Sequence, residues 1–294
     1  MTNQHTFKEK IVLITGATNG IGKEAARQIA KTGATVVVAG RNHQKLEQTV
    51  DEVKASSSNL KIEGLLADLS TLAGMQSLAS QFLDRYDRLD VLLNNAGALF
   101  TERQVTPDGF EKTFALNHLS YFVVTNLLLD ALSHGQPARI INVASDVHLA
   151  GHMNFDDLHG ESSYTPLGAY RQSKLGNVMF TYELAERLEG TQITVNALHP
   201  GVVQSGFGKN NKGVVGRVTS LVLGTLQRFQ GVNVAAGADT PIYLSISPEV
   251  EGITGKYWYK RQPKASSAES RDAEQYKRLW AESLSMTQLM EVAS

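Results

Sequence analysis

Short apolar runs alternate along the chain with longer segments in which apolar residues recur every three or four positions. The first run, Ile11–Ile14, ends at a glycine-rich turn. A continuous apolar run of this length is typical of a strand buried on both faces of a parallel sheet. The segment that follows, about 20–31, carries Ala25 and Ile29 on one stripe, which predicts a helix packed on that sheet. Gly33 ends the predicted helix.

The same alternation continues along the chain. Further strands are predicted at 35–39, 61–67, 90–93, 138–144, 192–197 and 257–259. Further helices are predicted after residue 40 and at 72–86, 107–132, 167–188 and 271–284. This order predicts the α/β class, with one doubly wound parallel sheet, a Rossmann fold, and helices on both faces. Because no stretch has the composition of a linker, residues 1–294 are predicted to form a single domain.

Two segments interrupt the alternation. Residues 146–166 are rich in His, Gly and Asp, and we interpret them as a structured loop. Residues 206–232 contain many apolar residues flanked by Gly and Lys, which predicts an amphipathic helical excursion. It either packs on the core or covers a ligand. Its position just after a strand end favours a substrate cover, because ligands bind at the carboxyl ends of strands in open α/β sheets.

Composition narrows the function classes. The chain of 294 residues has a formal net charge of −1 and scattered Lys and Arg, so nothing indicates a nucleic-acid partner. The sequence has no cysteine, which excludes disulfides, thiolate metal sites and a cysteine nucleophile. The first ten residues are polar, and the longest apolar runs are shorter than a membrane span. We therefore expect a cytoplasmic protein with no integral membrane segment.

The glycine-rich turn is a candidate phosphate site. Gly16, Gly20 and Gly22 lie between the first predicted strand and the first helix. Glycine allows a ligand to approach the backbone closely, and a helix N-terminus offers free N–H groups and positive dipole to a pyrophosphate. The alternative is a turn whose glycines are only structural. The strand–turn–helix context favours dinucleotide binding.

Arg41 follows the second predicted strand. An acidic residue near this place would bind the ribose hydroxyl of NAD. An arginine there can instead pair with a 2′-phosphate through its planar guanidinium. The sequence therefore predicts NADP(H) as the cofactor, and the alternative is a solvated surface charge.

Tyr170 and Lys174 are spaced four residues apart on a predicted helix, so both side chains lie on one helical face. A nearby ammonium stabilises a phenolate and lowers the pKa of the phenol. Such a phenol can protonate the oxygen of a carbonyl that accepts hydride. We therefore expect Lys174 to lower the pKa of Tyr170, although this spacing is common by chance.

Several motifs occur together in one order. They are Thr15–Gly22, Asn94-Asn95-Ala96-Gly97, Asn117, Ser145, Tyr170 with Lys174, and Pro200-Gly201. As a set over about 10–257, they resemble the short-chain dehydrogenase/reductases. The finer pattern is similar to the retinol dehydrogenase-like branch, as in Asn117-His118-Leu119, His199-Pro-Gly-Val-Val203 and the Leu-Gly-Asn177 that follows Lys174.

The resemblance implies a role for each of four residues, Asn117, Ser145, Tyr170 and Lys174, which we call the tetrad. Tyr170 would be the general acid/base, and Lys174 would lower its pKa and bind the nicotinamide ribose. Ser145 would hydrogen-bond the substrate carbonyl oxygen, and Asn117 would hold a water in a proton relay. Each role has a plainer alternative, such as a strand-end cap for Ser145 and a helix hydrogen bond for Asn117.

The resemblance also implies a cofactor site. Its residues would be Gly16, Thr18, Asn19, Gly20, Ile21, Gly22, Arg41, Asp68, Leu69, Asn95, Ala96, Gly97, Tyr170, Lys174, Pro200, Gly201 and Val203. Asp68 would meet the adenine, or simply form a turn. Three loop histidines, His148, His152 and His159, lack a compact ligand spacing, so no metal site is predicted.

Taken together, the sequence predicts an NADP(H)-dependent oxidoreductase that interconverts a small lipophilic aldehyde or ketone and its alcohol. A catalytically silent NADP(H)-sensing regulatory protein is one alternative, but such sensors typically lose the Tyr or the Lys. A protochlorophyllide reductase-like enzyme is another, and the lack of cysteine argues against it. In the family, helices corresponding to 107–132 and 167–188 form the usual homodimer surfaces.

Overall fold

Eight strands within the described residues pair into one sheet. The computed structural model describes residues 7–135, 137–201 and 233–290. The strands are β1 Ile11–Ile14, β2 Thr35–Gly40, β3 Ile62–Leu66, β4 Val91–Asn94, β5 Ala138–Val143, β6 Ile193–Leu198, β7 Lys256–Tyr259 and β8 Gln262–Lys264. Their spatial order is β3-β2-β1-β4-β5-β6-β7-β8. β2 and β3 lie on one side of β1, and β4 to β8 lie on the other. The strand order therefore reverses between β1 and β4, and open α/β sheets bind ligands at such a switch point.

The edge strand β8 differs from the predicted all-parallel sheet. β1 to β7 pair in parallel, whereas β8 runs antiparallel to β7, with Tyr257 opposite Lys264. All three β8 residues are exposed, and Pro263 is the middle one. A proline cannot donate to a neighbouring strand, so it is tolerated at an edge. A short polar strand with proline has no apolar pattern from which it could be predicted.

Helices connect the strands. They are α1 Gly20–Ala30, α2 His43–Ser57, α3 Leu72–Leu83, α4 Lys112–Phe114, α5 Ser120–Leu127, α6 Leu129–His134, α7 Pro166–Arg187, α8 Val234–Ile246 and α9 Ala273–Thr287. A π-helical turn, Ala115–Leu119, joins α4 to α5. Helix α8 is not predicted by the sequence pattern: its apolar residues do not form one clear stripe, and it contains Pro241. The predicted helix at 271–284 begins instead at Ala273, because the Asp272 carboxylate accepts N–H groups of its first turn.

The predicted helix at 107–132 is divided into several pieces. It begins at Lys112, because the buried Glu111 carboxylate accepts the N–H groups of Thr113 and Phe114, each at 2.8 Å. The chain then passes through the π-helical turn and breaks again at Leu128, whose backbone is not helical. A π-helical turn adds a residue to the repeat and is frequent at functional sites.

Two apolar cores confirm the doubly wound fold. Successive residues of each buried strand point to opposite faces. Leu13 and Leu92 belong to one core, together with α3, α5, α7 and α9. Val12, Ile14 and Leu93 belong to the other, together with α1, α2 and α8. The sheet is therefore covered on both sides.

The C-terminal helix α9 packs against α7 and beside α5 on the first face. The Trp280 ring lies 4.9 Å from the ring of Phe122 on α5 and 6.0 Å from that of Phe180 on α7, measured between centroids. The Arg187 guanidinium covers the same indole at 4.3 Å. The apolar surface of α5 and α7 at this place is thus covered by the chain itself.

Candidate functional site

The turn after β1 is shaped by glycines that bring three backbone segments close together. Gly16 and Gly20 have left-handed φ values of 64° and 52°. A Cβ on Gly16 would lie 2.7 Å from the Cα of Ala96, and one on Gly22 would lie 2.8 Å from the Gly16 oxygen. Asn19, the N-cap residue of α1, makes no side-chain hydrogen bond to the helix. The first-turn N–H groups of α1 therefore face the switch point without a side-chain cap, as an anion site requires.

Hydrogen bonds tie this turn to the segment after β4. The Thr15 hydroxyl accepts the N–H groups of Asn95 and Ala96 at 2.9 and 3.1 Å. The Asn95 amide donates to the carbonyls of Thr15 and Gly16 at 3.0 and 3.1 Å. The two segments that would flank a dinucleotide are therefore held as one unit.

The next part of the predicted cofactor site lies at the ends of β2 and β3. Arg41 is exposed and makes no ion pair within the described ranges. The preceding Gly40 leaves room for Thr18, because a Cβ there would lie 2.4 Å from the Thr18 methyl. Asp68 forms a turn, in which its carboxylate accepts the N–H and hydroxyl of Ser70 at 3.1 and 2.8 Å. Leu69 is buried beside it.

Helix α7 presents Lys174 to the end of β5. The side chain is 3% exposed, and Nζ donates to the Val143 carbonyl at 2.8 Å. Nζ also lies 5.5 Å from the ring of Tyr121 and 5.9 Å from that of Tyr170. Burial lowers the pKa of Lys174 to about 7, because a charged amine is costly away from water.

Burial also governs Tyr170, and it reverses the expected direction. It raises the pKa of the Tyr170 phenol well above the ordinary value, while a hydrogen bond with Ser145 lowers that pKa and the Asp146 charge raises it. The expectation that Lys174 lowers the pKa of Tyr170 is therefore not met in this structure. Proximity is present, but desolvation disfavours the charged forms of both groups.

Asn117 stands in the π-helical turn and clamps three segments together. Its Oδ1 accepts the Ala98 N–H at 2.8 Å, and its Nδ2 donates to the Ala98 carbonyl and to the Ser173 hydroxyl, each at 2.9 Å. Ser173 in turn donates to the Tyr170 carbonyl at 2.8 Å. Gly97 permits this approach, since a Cβ there would lie 3.2 Å from Asn117 Oδ1 and 3.4 Å from Lys174 Nζ. The side-chain amide of Asn117 is therefore occupied by protein groups.

Ser145 and the Pro200-Gly201 turn complete the site at the ends of β5 and β6. Ser145 is half-buried and caps the 3₁₀ helix Asp146–Ala150, with its hydroxyl 3.4 Å from the Val147 nitrogen. Gly201 has a φ of 80° and follows β6 closely. Val203 and the predicted cover at 206–232 lie outside the described residues.

The loop histidines have protein partners. His148 Nδ1 lies 2.7 Å from the Ser145 carbonyl, and His159 Nδ1 accepts the Glu111 N–H at 3.3 Å. His152 pairs with Glu269 at 3.1 Å. Across residues 7–135, 137–201 and 233–290, no group of three or more His, Asp or Glu side chains is placed to hold a metal ion.

Several residues of this site are not identified by the sequence pattern. Tyr121 donates to the same Val143 carbonyl as Lys174, at 3.3 Å. Ser173 is not a predicted site residue, yet it links Asn117 to the turn of α7 that carries Tyr170. His199 contacts the turn that follows it. The contacts of Tyr121 with Val143 and of Ser173 with Asn117 join segments far apart in the chain. The local signal for these residues is only a polar side chain inside an apolar helix or at a strand end.

Comparisons with known proteins agree with this geometry. Residues 10–213 match a family model described as short chain dehydrogenase. The chain is 39% identical to retinol dehydrogenase 13 of Homo sapiens over 280 residues, which cover 95% of this chain and 84% of that protein. It is 37% identical to polyprenol dehydrogenase of Homo sapiens over 290 residues, which cover 97% and 87%.

Two solved structures are similar over most of their length. An uncharacterised protein from Mycobacterium paratuberculosis superposes with a TM-score of 0.75 and 31% identity, covering 97% of both chains. A short chain dehydrogenase from Escherichia coli complexed with NADPH superposes with a TM-score of 0.66 and 25% identity, covering 87% of this chain and 98% of that one.

The close approach at Gly16 generates a stability prediction. Gly16→Ala places a Cβ against the Ala96 backbone, whereas Gly109, with a φ of 88°, has nothing within 4 Å of the place that a Cβ would take. Both changes cost about 1–2 kcal/mol for a left-handed backbone, and Gly16→Ala costs a further ~1–3 kcal/mol from overpacking. Urea unfolding of the Gly16→Ala and Gly109→Ala variants measures this difference. Equal losses would show that the Gly16 turn relaxes freely.

The burial of Lys174 generates a pH prediction. Folded Lys174 releases its proton near pH 7, whereas the unfolded chain keeps it to about pH 10.4. Between these values the unfolded state binds more protons, so the free energy of unfolding rises with pH. The expected contribution is about 1.4 kcal/mol per pH unit, and Lys174→Met removes it. Urea unfolding of both proteins from about pH 7.5 to about pH 9.5 tests this, and parallel curves would contradict it.

Proposed function

The chain belongs to the short-chain dehydrogenase family, in its retinol dehydrogenase-like branch, and from this premise we propose that it is an NADP(H)-dependent enzyme interconverting a lipophilic aldehyde or ketone and its alcohol. Membership of the family makes it an oxidoreductase that acts on alcohol and carbonyl groups. The observation that carries the finer proposal is the meeting of Ser145, Tyr170 and Lys174 at the strand ends beside the glycine turn.

The residues present fit a nicotinamide dinucleotide. Uncapped N–H groups at the start of α1 suit the pyrophosphate. In our proposal the cofactor is held by Gly16, Thr18, Asn19, Gly20, Ile21, Gly22, Arg41, Asp68, Leu69, Asn95, Ala96, Gly97, Tyr170, Lys174, Pro200, Gly201 and Val203. When bound, the nicotinamide supplies or accepts the hydride. The protein supplies orientation and the proton.

The four tetrad residues would then supply the proton, the hydrogen bonds and the ribose contact that the reaction needs. Tyr170 donates its phenolic proton to the substrate oxygen in the reductive direction, which is general acid catalysis. The Ser145 hydroxyl lies within hydrogen-bond reach of Tyr170. In the complex it would donate its single proton to the same substrate oxygen as negative charge develops there. Lys174 holds the nicotinamide ribose. Asn117 would hold a relay water near Lys174, beside the bonds that its side-chain amide already makes to Ala98 and Ser173.

Arg41 supports NADP(H) over NAD(H). Arg41 follows Gly40, which packs against Thr18 at the edge of the glycine-rich turn. The Arg41 side chain is exposed and has no carboxylate partner in the described chain. A guanidinium binds a phosphate with two parallel hydrogen bonds. The similar protein from Escherichia coli is complexed with NADPH, which is consistent with this choice.

A lipophilic substrate is supported by apolar residues close to the tetrad. Leu167 lies about one helical turn before Tyr170, and Leu149 lies in the 3₁₀ helix that Ser145 caps. Both are large apolar side chains that remain about half exposed, at 44% and 50%. The relatives are named for retinol and polyprenol, which are both long apolar alcohols.

Location and assembly stay sequence-based predictions. None of the helices in the described ranges has the length and apolar character to cross a membrane. Because α9 covers part of α5 and α7, a homodimer of this chain would use surface outside the Trp280 contact. We propose a cytoplasmic enzyme acting on a small molecule.

The proposed acid is tested with Tyr170→Phe. Removing the hydroxyl should lower kcat for NADPH-dependent reduction of a good aldehyde substrate by about 10²–10⁴-fold. NADPH binding, followed by fluorescence titration, should change little because the ring remains. A panel of aliphatic and polyene aldehydes identifies the substrate for the wild-type assay. Wild-type turnover in the Phe variant would eliminate Tyr170 as the proton donor.

The proposed cofactor preference is tested with Arg41→Asp. A charge-assisted hydrogen bond contributes about 1.5–3 kcal/mol, so the KM for NADPH should rise by about 10–100-fold. The KM for NADH should fall or stay constant, since an aspartate can bind a ribose hydroxyl. Lys277→Asp, which reverses the charge of an exposed residue on α9, is the control. Equal effects on both cofactors would contradict the assignment.

A further inference from the structure

His199 is a buried residue that contacts the turn next to the proposed nicotinamide site. It is 4% exposed and immediately precedes Pro200-Gly201. Its Nδ1 accepts the Gly201 N–H at 3.3 Å, so the ring proton is assigned to Nε2. That Nε2 has no hydrogen-bond partner in the described chain. Burial lowers the pKa of His199 to about 4, which keeps the imidazole neutral and able to accept.

His148 makes a corresponding contact on the other side of the site. It is fully buried, and its Nδ1 lies 2.7 Å from the Ser145 carbonyl. A carbonyl only accepts, so the proton is assigned to Nδ1, and Nε2 accepts the Ser267 N–H at 3.2 Å. Burial lowers the pKa of His148 as well. Each neutral imidazole is thus fixed in one tautomer by the backbone group that it holds.

Aromatic rings on β7 connect the two histidines. His199 stacks between Tyr259 and Tyr257, with centroid distances of 4.0 and 5.9 Å and interplanar angles of 16° and 13°. The edge of His148 meets the same Tyr257 ring at 4.7 Å. The Tyr257 hydroxyl is buried and has no partner within the described residues. The contacts of Tyr257 with the two histidines are therefore made by its ring and not by its hydroxyl.

We infer that His148 and His199, both packed against the ring of Tyr257, are positioning residues that fix the Ser145 and Gly201 backbones relative to each other. Ser145 would orient the substrate oxygen, and the Pro200-Gly201 turn would orient the nicotinamide. Hydride transfer needs the reacting atoms within a narrow range of distances, and a misplacement of about 1 Å can cost about 100-fold in rate. This inference rests on the proposed function, because it assigns these two segments to substrate and cofactor.

The first test separates the acceptor of His199 from its ring. His199→Phe keeps the stacking and loses the acceptor, whereas His199→Asn offers its Oδ1 near the place of Nδ1. In His199→Phe, kcat should fall by about tenfold or more. The Kd for NADPH should stay within about threefold of wild type, because most of the proposed cofactor contacts lie elsewhere. His199→Asn keeps an acceptor but loses the stacking ring, so it should recover part of the lost kcat. Equal loss in both variants, or no loss in Phe, would overturn the inference.

The second test uses Tyr257 and does not depend on the first. Tyr257→Phe removes only a hydroxyl without a partner in the described chain, so kcat and the melting temperature should stay at wild-type values or improve. Tyr257→Leu removes the ring that both imidazoles contact, and kcat should fall by about tenfold or more. A Leu variant with full kcat would overturn the inference, as would a Phe variant as impaired as Leu.

A matched control and Tyr170→Phe complete the design. His134 ends α6, away from the site, and its Nδ1 contacts the Asp87 carbonyl. His134→Phe removes this contact and should leave kcat unchanged. If Tyr170→Phe retains full turnover, the proposed function fails. If Tyr170→Phe is inactive and the His199 and Tyr257 variants behave as wild type, only the present inference fails.

Discussion

The site depends on one buried amine. Lys174 is almost fully buried, and its Nζ is held by the Val143 carbonyl at 2.8 Å between the rings of Tyr121 and Tyr170. An unpaired charge in such a place is costly, and the amine responds by a pKa that falls to about 7. In the described chain, the groups near the Lys174 ammonium are the Val143 carbonyl and the rings of Tyr121 and Tyr170. The end of β5 and the first turns of α7 must therefore meet in one fixed register for the amine to be held at all.

That register explains features that otherwise look unrelated. A Cβ on Gly97 would crowd Asn117 Oδ1 at 3.2 Å and come into contact with Lys174 Nζ at 3.4 Å. The π-helical turn carries Asn117 to the place where its amide can bond Ala98 and Ser173 together. On the other side of the switch point, Thr15 holds the Asn95 segment against the glycine turn. The proposed phosphate and proton-transfer regions are thus joined through the single segment that follows β4.

Local patterns account for the part of this arrangement that could be predicted. β1, the glycine turn and α1 follow from a continuous apolar run and helical spacing within about twenty residues, and Tyr170 with Lys174 from a spacing of four. The broken start of the 107–132 helix follows instead from the buried carboxylate of Glu111. The contact between His199 and Tyr257 joins residues far apart in the chain, and no local pattern encodes it.

The pKa of Tyr170 shows most clearly where sequence reasoning ends. Spacing places an amine near a phenol, but the sign of the pKa shift depends on how much water each group loses. Here burial outweighs proximity, so the phenol is held in its neutral form. A neutral phenol is the form that donates a proton, which suits the reductive direction of the proposed reaction. Oxidation of an alcohol needs the phenolate instead. The hydrogen bond with Ser145 lowers the cost of that form, and a charged Lys174 close by would lower it further. A raised pKa also makes the phenol a weaker acid, so a positive charge near Tyr170 in the working complex would bring its pKa back toward the operating pH, where one group serves both directions of the cycle.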